Sequence, residues 1–131
     1  MPEVLSPKEV ERLLCANGKL RDRCLLMTAY ATGLRVSELV RLKVSDIDSE
    51  RMMVKVEQGK GKKDRYTILS ERLLSELRTY WKEHRSPTWV FPNAKGNPIS
   101  IDYAQKTYNR AKQKAQIQKG KGIHTLSNAS T

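Results

Sequence analysis

Ala31-Thr32-Gly33-Leu34-Arg35-Val36-Ser37-Glu38-Leu39-Val40-Arg41-Leu42 joins two helical patterns through one glycine and sets an arginine at the junction. Upstream, Leu20 to Thr32 reads as a helix with Leu25, Leu26, Met27 and Ala29 buried. Gly33 is its natural stop, because the residue after a helix often takes the left-handed conformation that glycine adopts freely. Downstream, Val36 to about Leu42 reads as a short helix with Val36, Leu39 and Val40 inward. Arg35 stands just before it. A guanidinium beside exposed helix N–H groups suits a phosphate. From spacing alone, the favoured reading is plainer: a surface arginine paired to Glu38, three residues on.

Working outward, Ser6-Pro7 opens a helix with an N-cap and a proline at the first helical position. Val10, Leu13 and Leu14 form its apolar stripe, and Asn17-Gly18 ends it. Beyond Leu42, Arg51 to Glu57 is β-rich, with Val54 and Val56 on one face. Arg65 to Leu69 resumes the alternation, with Tyr66 and Ile68 sharing a face. The two runs around Gln58 to Asp64 read as a β-hairpin, and the length of its loop predicts a mobile tip. A helix over Ser70 to Glu83 carries Leu73, Leu74, Leu77 and Trp81 at helical spacing. In the loop that follows, Trp89, Val90 and Phe91 are expected in the core. A last helix runs from after Ser100 to about Ala115, with Ile101, Ala104, Tyr108 and Ala111 on one side. The sum is a mainly helical α+β chain with a small antiparallel hairpin or sheet.

Composition narrows the partners. The 131 residues fit one domain, and 25 Lys and Arg against 14 Asp and Glu give a formal charge of +11. A basic excess of this size favours a polyanion, nucleic acid first. After Asp102 no acidic residue follows, while Lys106, Arg110, Lys112, Lys114, Lys119 and Lys121 do. No apolar run approaches the roughly 20 residues of a membrane-spanning helix, and no signal-peptide pattern opens the chain, so a cytoplasmic protein without membrane contact is expected. Cys15 and Cys24 read as small core or boundary residues, and two Cys with two separated His give no zinc spacing. Asp46 and Asp48 read as turn chemistry before a strand.

Three segments carry candidate chemistry. Gly59-Lys60-Gly61-Lys62-Lys63 clusters ammonium groups on permissive backbone, and each lysine could neutralise a phosphate. A solvated hairpin tip is an equally good reading from composition. The loop lacks the spacing of a nucleotide-binding P-loop. Lys119-Gly120-Lys121-Gly122 is a basic linker, and His124 follows it; a lone histidine is more often structural than catalytic.

Taken together these segments resemble the tyrosine recombinase (phage integrase) family. Ala31 to Leu42 resembles its first arginine box. Gln58 to Tyr66 resembles its β-hairpin, and Gly122-Ile123-His124-Thr125-Leu126 the opening of its His-x-x-Arg box. The resemblance implies attack by a tyrosine on a DNA phosphodiester, without metal or nucleotide cofactor. It implies Arg35 as the first catalytic arginine on the phosphate oxygens, Lys60 as the acid toward the departing 5′-oxygen, and His124 as a phosphate partner with an acid–base role. It implies Glu38 as a support that orients neighbours. Arg35, Lys60, Lys62, Lys63, Arg65, Lys119 and Lys121 are the expected contacts to double-stranded DNA.

The sequence also departs from the family. Three residues after His124, where the second arginine is expected, stands Ser127. Tyr30, Tyr66, Tyr80, Tyr103 and Tyr108 all precede His124, so none holds the nucleophile's place in the motif. Residues 1–131 are therefore expected to form one partial catalytic domain, without an N-terminal core-binding domain and without the C-terminal helices. Loss of those helices should expose apolar surface and favour self-association or a full-length recombinase partner. The favoured function is a DNA-binding fragment in recombination and integration of mobile elements, unable to cleave alone. One alternative is a catalytic subunit completed in trans by a partner chain. Another is a non-enzymatic RNA-binding protein, ranked last because an aromatic-rich sheet is missing.

Overall fold

Helix α2 (Leu20–Thr32) is the centre of the molecule. Asp22, Cys24, Leu25, Leu26, Met27, Thr28, Ala29 and Thr32 are all buried, on every side of the helix rather than along one stripe. A helix that buries residues on every side must be covered on every side. Helices α1 (Pro7–Cys15), α3 (Val36–Val40), α4 (Glu71–Glu83) and α5 (Ile101–Ala115) surround α2, and strand β3 (Arg65–Ile68) packs on it too. The two buried threonines satisfy their hydroxyls inside the helix: Thr28 donates to Cys24 O at 2.7 Å and Thr32 to Thr28 O at 2.6 Å. The computed structural model describes residues 5–16, 18–57, 63–118 and 122–123.

Three of the four outer helices, α1, α4 and α5, begin where serines stop the extended chain. Ser6 and Glu9 exchange side-chain-to-backbone hydrogen bonds of 2.9 and 3.2 Å, a capping box before the Val10–Leu13–Leu14 stripe. Ser70 accepts from the Leu73 N–H at 3.1 Å, and Ser100 from the Tyr103 N–H at 3.0 Å. At the far end of α2, Gly33 takes φ 69°, the left-handed stop expected from the sequence.

The sheet has one strand more than the expected hairpin. Strands β1 (Ile47–Asp48), β2 (Met53–Val56) and β3 lie antiparallel in that order. Val54 pairs with Ile47 and Thr67, and Lys55 with Tyr66. Val54 and Val56 face the core, while Tyr66 and Ile68 share the opposite, exposed face at 58% and 75% exposure. Asp46 and Asp48 do turn chemistry: Asp46 accepts from the Lys43 N–H, and Asp48 from the Glu50 and Arg51 N–H groups. The Trp89 segment pairs with Leu42–Val44, through Val44 N–H to Thr88 O at 2.8 Å and Val90 N–H to Leu42 O at 2.9 Å.

Four inward assignments need correction. Tyr80, 2% exposed, is the aromatic residue of α4 in the core, and Trp81 lies at the rim, 40% exposed. Ile101 is also exposed, in the first residue of α5. Trp89 is half-buried, while Val90 and Phe91 are buried. Cys24 is buried but Cys15 is exposed. Among the described residues no helix is long and apolar enough to cross a membrane.

Candidate functional site

Arg35 enters α3 as its N-cap residue, with extended backbone. Its side chain has no acceptor and cannot cap the helix. Glu38 closes the turn instead: its Oε1 accepts from the Arg35 backbone N–H at 2.9 Å. The same carboxylate accepts two hydrogen bonds from the Arg65 guanidinium, at 3.0 and 3.1 Å. The planar fork of Arg65 thus ties β3 to α3 through a carboxylate that is only 14% exposed. The pairing of Arg35 with Glu38 expected from spacing runs through the backbone N–H, and the guanidinium that engages Glu38 is that of Arg65.

This arrangement leaves the Arg35 side chain uncommitted. It is exposed, and among the described residues no carboxylate pairs with it. A groove of about 340 Å³ lies beside it, between α3 and β2, lined also by Arg41, Asp46, Lys55 and Glu57. The acids of the groove are engaged elsewhere. Glu38 holds Arg65, Asp46 holds the Lys43 N–H at 3.0 Å, and Glu57 lies 3.9 Å from the Lys43 ammonium. Arg41, like Arg35, is exposed and has no carboxylate partner among the described residues. Lys55 sits 3.5 Å from Asp64, whose charge raises the lysine above its ordinary range and keeps it cationic. Arg35 and Arg41 are thus the cations of the groove without a carboxylate partner among the described residues.

Sequence reasoning did not single out Arg41 or Lys55. Arg41 was visible as the last basic residue of the quoted box, but nothing local distinguished it from a surface arginine. Lys55 stands between two core valines, so its outward direction was legible, but the groove was not. Of the expected DNA contacts, Arg35 and Arg65 are brought together by Glu38, and Lys63 is exposed two residues before Arg65. Lys60, Lys62, Lys119, Lys121 and His124 lie outside the described residues. So do the hairpin tip and Ser127.

Helix α5 adds a second basic surface. It packs against α3 and carries Lys106, Arg110, Lys112 and Lys114. Lys106 is paired to Asp102 at 3.1 Å, one turn back. Arg110 lies over the Tyr103 ring at 5.8 Å, which Arg21 also approaches at 4.9 Å. Ile123, directly before His124, is buried and donates its N–H to Gln105 of α5 at 2.9 Å. Among the described residues no three His, Cys, Asp or Glu side chains converge as metal ligands would.

Known proteins share this fold. Residues 3–129 match the model of the phage integrase family. An integrase/recombinase of Sinorhizobium fredii, y4qK, is 45% identical over 98% of this chain and 42% of its own length. The tyrosine recombinase XerA of Pyrococcus horikoshii is 39% identical over 65% of this chain and 30% of its own. The chain thus spans less than half the length of the curated relatives it matches. A crystal structure of XerA recombinase superposes with a TM-score of 0.89 at 29% identity, covering 99% of this chain and 48% of that one. XerH site-specific recombinase bound to its difH substrate superposes with a TM-score of 0.85 at 25% identity, over 98% of this chain and 42% of that one. Family match, relatives and fold agree: the chain belongs to the phage integrase family of tyrosine recombinases.

Proposed function

We propose that these 131 residues act as a duplex-DNA-binding unit in site-specific recombination and in the integration of mobile elements, and that by themselves they do not cut DNA. The observation that carries the reading is the exposed Arg35 guanidinium, beside a groove whose carboxylates are already occupied. A planar fork of donors with no internal partner suits a phosphodiester oxygen. Glu38 acts as the positioning residue, fixing the backbone of Arg35 and the guanidinium of Arg65. Lys60, Lys62 and Lys63 of the hairpin and Lys119 and Lys121 of the linker supply further phosphate contacts. Lys60 and His124 would serve as proton donor and phosphate partner once a nucleophile is present.

Cleavage needs a second positive fork and a tyrosine beside the phosphate. The position for the fork is Ser127, whose hydroxyl cannot supply that charge. Three of the five tyrosines are buried or engaged within the fold. Tyr80 and Tyr108 are buried, and the Tyr103 hydroxyl accepts from the Arg21 guanidinium. Tyr66 is exposed on the sheet face opposite Arg65, across from Lys55, and Tyr30 is half-buried in α2.

Fluorescence anisotropy with duplex DNA and matched single-stranded RNA, at several salt concentrations, tests the reading. Salt-sensitive binding that prefers the duplex and weakens in a Lys60/Lys62/Lys63→Ala variant supports it. Equal affinity for the RNA would sink it. A denaturation-resistant protein–DNA adduct would overturn the claim that the chain does not cut alone.

A further inference from the structure

One side of α4 turns away from the core and is neither polar nor evenly charged. Leu74, Leu77, Arg78, Trp81 and Lys82 recur at the spacing that puts side chains on one helix face, with Leu77 at its inner edge against the core and Arg85 just past the end of the helix. Along this face runs a groove of about 420 Å³. Val44, Ile47, Leu77 and Trp81 contribute its apolar floor, and Arg78, Lys82 and Arg85 its rim. Trp81 donates its indole N–H to Ser86 O at 3.4 Å, so its polar edge is turned to its own chain. The ring is left as apolar surface, 40% exposed, with the Arg85 guanidinium 5.1 Å from its centre.

The rim is unbalanced. Elsewhere on α4, Arg72 is paired to Glu11 and Glu76 to Arg23. Among the described residues no carboxylate pairs with Arg78, Lys82 or Arg85. Arg78 and Lys82 of α4 and Arg85 just beyond its end border the apolar groove.

We propose that this groove docks an acidic amphipathic segment of a partner protein, whose apolar side chains fill the floor and whose carboxylates pair with Arg78, Lys82 and Arg85. Charge and polarity together select this occupant. Duplex DNA matches the rim but has no apolar side chain to bury in the floor. A second copy of this chain matches the floor but brings the same charge of +11 to a basic rim. An acidic segment with apolar anchors matches both, in the manner of a helix laid in a groove. The inference stands apart from the DNA reading, since Arg35 and the hairpin take no part in it.

The test uses the full chain and a fluorescein-labelled synthetic peptide of about 16 residues, about four helical turns. It carries Leu and Phe at i, i+3, i+4 and i+7 and Glu on the flanking positions. Saturable anisotropy is expected, weakened about tenfold by Trp81→Ala and by the double change Arg78→Glu/Lys82→Glu. Trp81→Phe should retain most of the binding, because the floor stays aromatic. A peptide with Lys in place of Glu should bind the charge-reversed variant and not the parent. Far-UV circular dichroism checks that each variant is folded. Equal binding of a scrambled peptide would reduce the effect to net charge and overturn the proposal. So would loss of duplex affinity in the charge-reversed variant as large as in the hairpin variant, which would make the groove a DNA surface. A dimer in sedimentation that Trp81→Ala dissolves would assign the groove to a second copy instead.

Discussion

Removing the Glu38 carboxylate would release two groups at once, the Arg65 guanidinium on β3 and the Arg35 N–H at the entry to α3. Glu38→Gln keeps the shape and removes the charge. Arg65 is 42% exposed, so solvent screens part of the attraction, and a loss of about 1 kcal/mol is the reasonable scale. Urea denaturation of Glu38→Gln, Arg65→Ala and the double variant measures the coupling. Strictly additive losses would mean that the two side chains act independently. The sequence showed Arg35 and Glu38 as neighbours but not the partner that matters. Arg65 is 27 residues away along the chain, and only the packing of β3 against the central helix region brings it within reach. The cysteines make a simpler contrast. Burial pushes the Cys24 thiol up to about 12, and its Sγ lies 3.4 Å from Glu76 O, while Cys15 is exposed. A thiol that stays protonated and covered does not react. Iodoacetamide followed by mass spectrometry should find one label, on Cys15, in the native chain and two after denaturation; native labelling of Cys24 would mean that α2 opens readily.

Elements were legible where one physical signal dominated. Serine caps, the glycine stop and the valine alternation of β2 placed helix starts, the end of α2 and the core face of the sheet. The errors lie at stripe edges. At about 100° per residue, Tyr80 falls close to the Leu73–Leu77 line and Trp81 most of a quarter-turn away. Counting by fours from Leu73 led to the wrong aromatic residue. Strand β1 has two residues, too few to show a period. The Gly33 stop has a measurable consequence. At φ 69°, a Cβ meets the following carbonyl, so Gly33→Ala should cost about 1–2 kcal/mol, and Gly33→Asn less. Thermal or urea unfolding of the pair checks this, and equal stability of Ala and parent would mean that the turn relaxes. Helix α1 is also held to α4 by Glu11 and Arg72, which share two hydrogen bonds. The bond to Arg72 lowers the Glu11 carboxyl below its ordinary 4.5. A carboxyl depressed in the folded state contributes stability above its unfolded pKa and loses it as pH falls through the folded value. The pair is about half exposed, so a few tenths of a kcal/mol are at stake. Arg72→Met should therefore unfold slightly more easily than the parent at pH 7, with the difference fading below about 4.5. A difference that persists unchanged in acid would assign it to packing.

At the scale of the whole molecule, the charge of +11 becomes informative through where its counter-charges sit. Composition alone could not separate a solvated basic protein from a DNA binder, because it says nothing about which cations are already neutralised. In the fold, Arg65, Arg72, Lys106 and Lys55 each have a carboxylate within 4 Å, whereas Arg35 and Arg41 do not. That difference predicts unequal effects from substitutions of equal formal charge. Each phosphate contact adds about −0.9 to the slope of log affinity against log salt. Arg35→Ala should flatten the slope for duplex DNA by about one contact and weaken binding to every sequence alike, since a phosphate carries no base identity. Lys106→Ala removes the same charge from a helix-surface ion pair and should leave the slope nearly unchanged. Anisotropy titrations of both variants at several salt concentrations, on two unrelated duplexes, decide the matter. Equal flattening by the two would mean that the protein binds by its diffuse charge alone. Flattening by Arg35→Ala only would mean that the uncommitted guanidinium at the head of α3 touches the backbone. An Arg35 effect confined to one of the duplexes would point to base recognition and move Arg35 out of the phosphate role proposed for it.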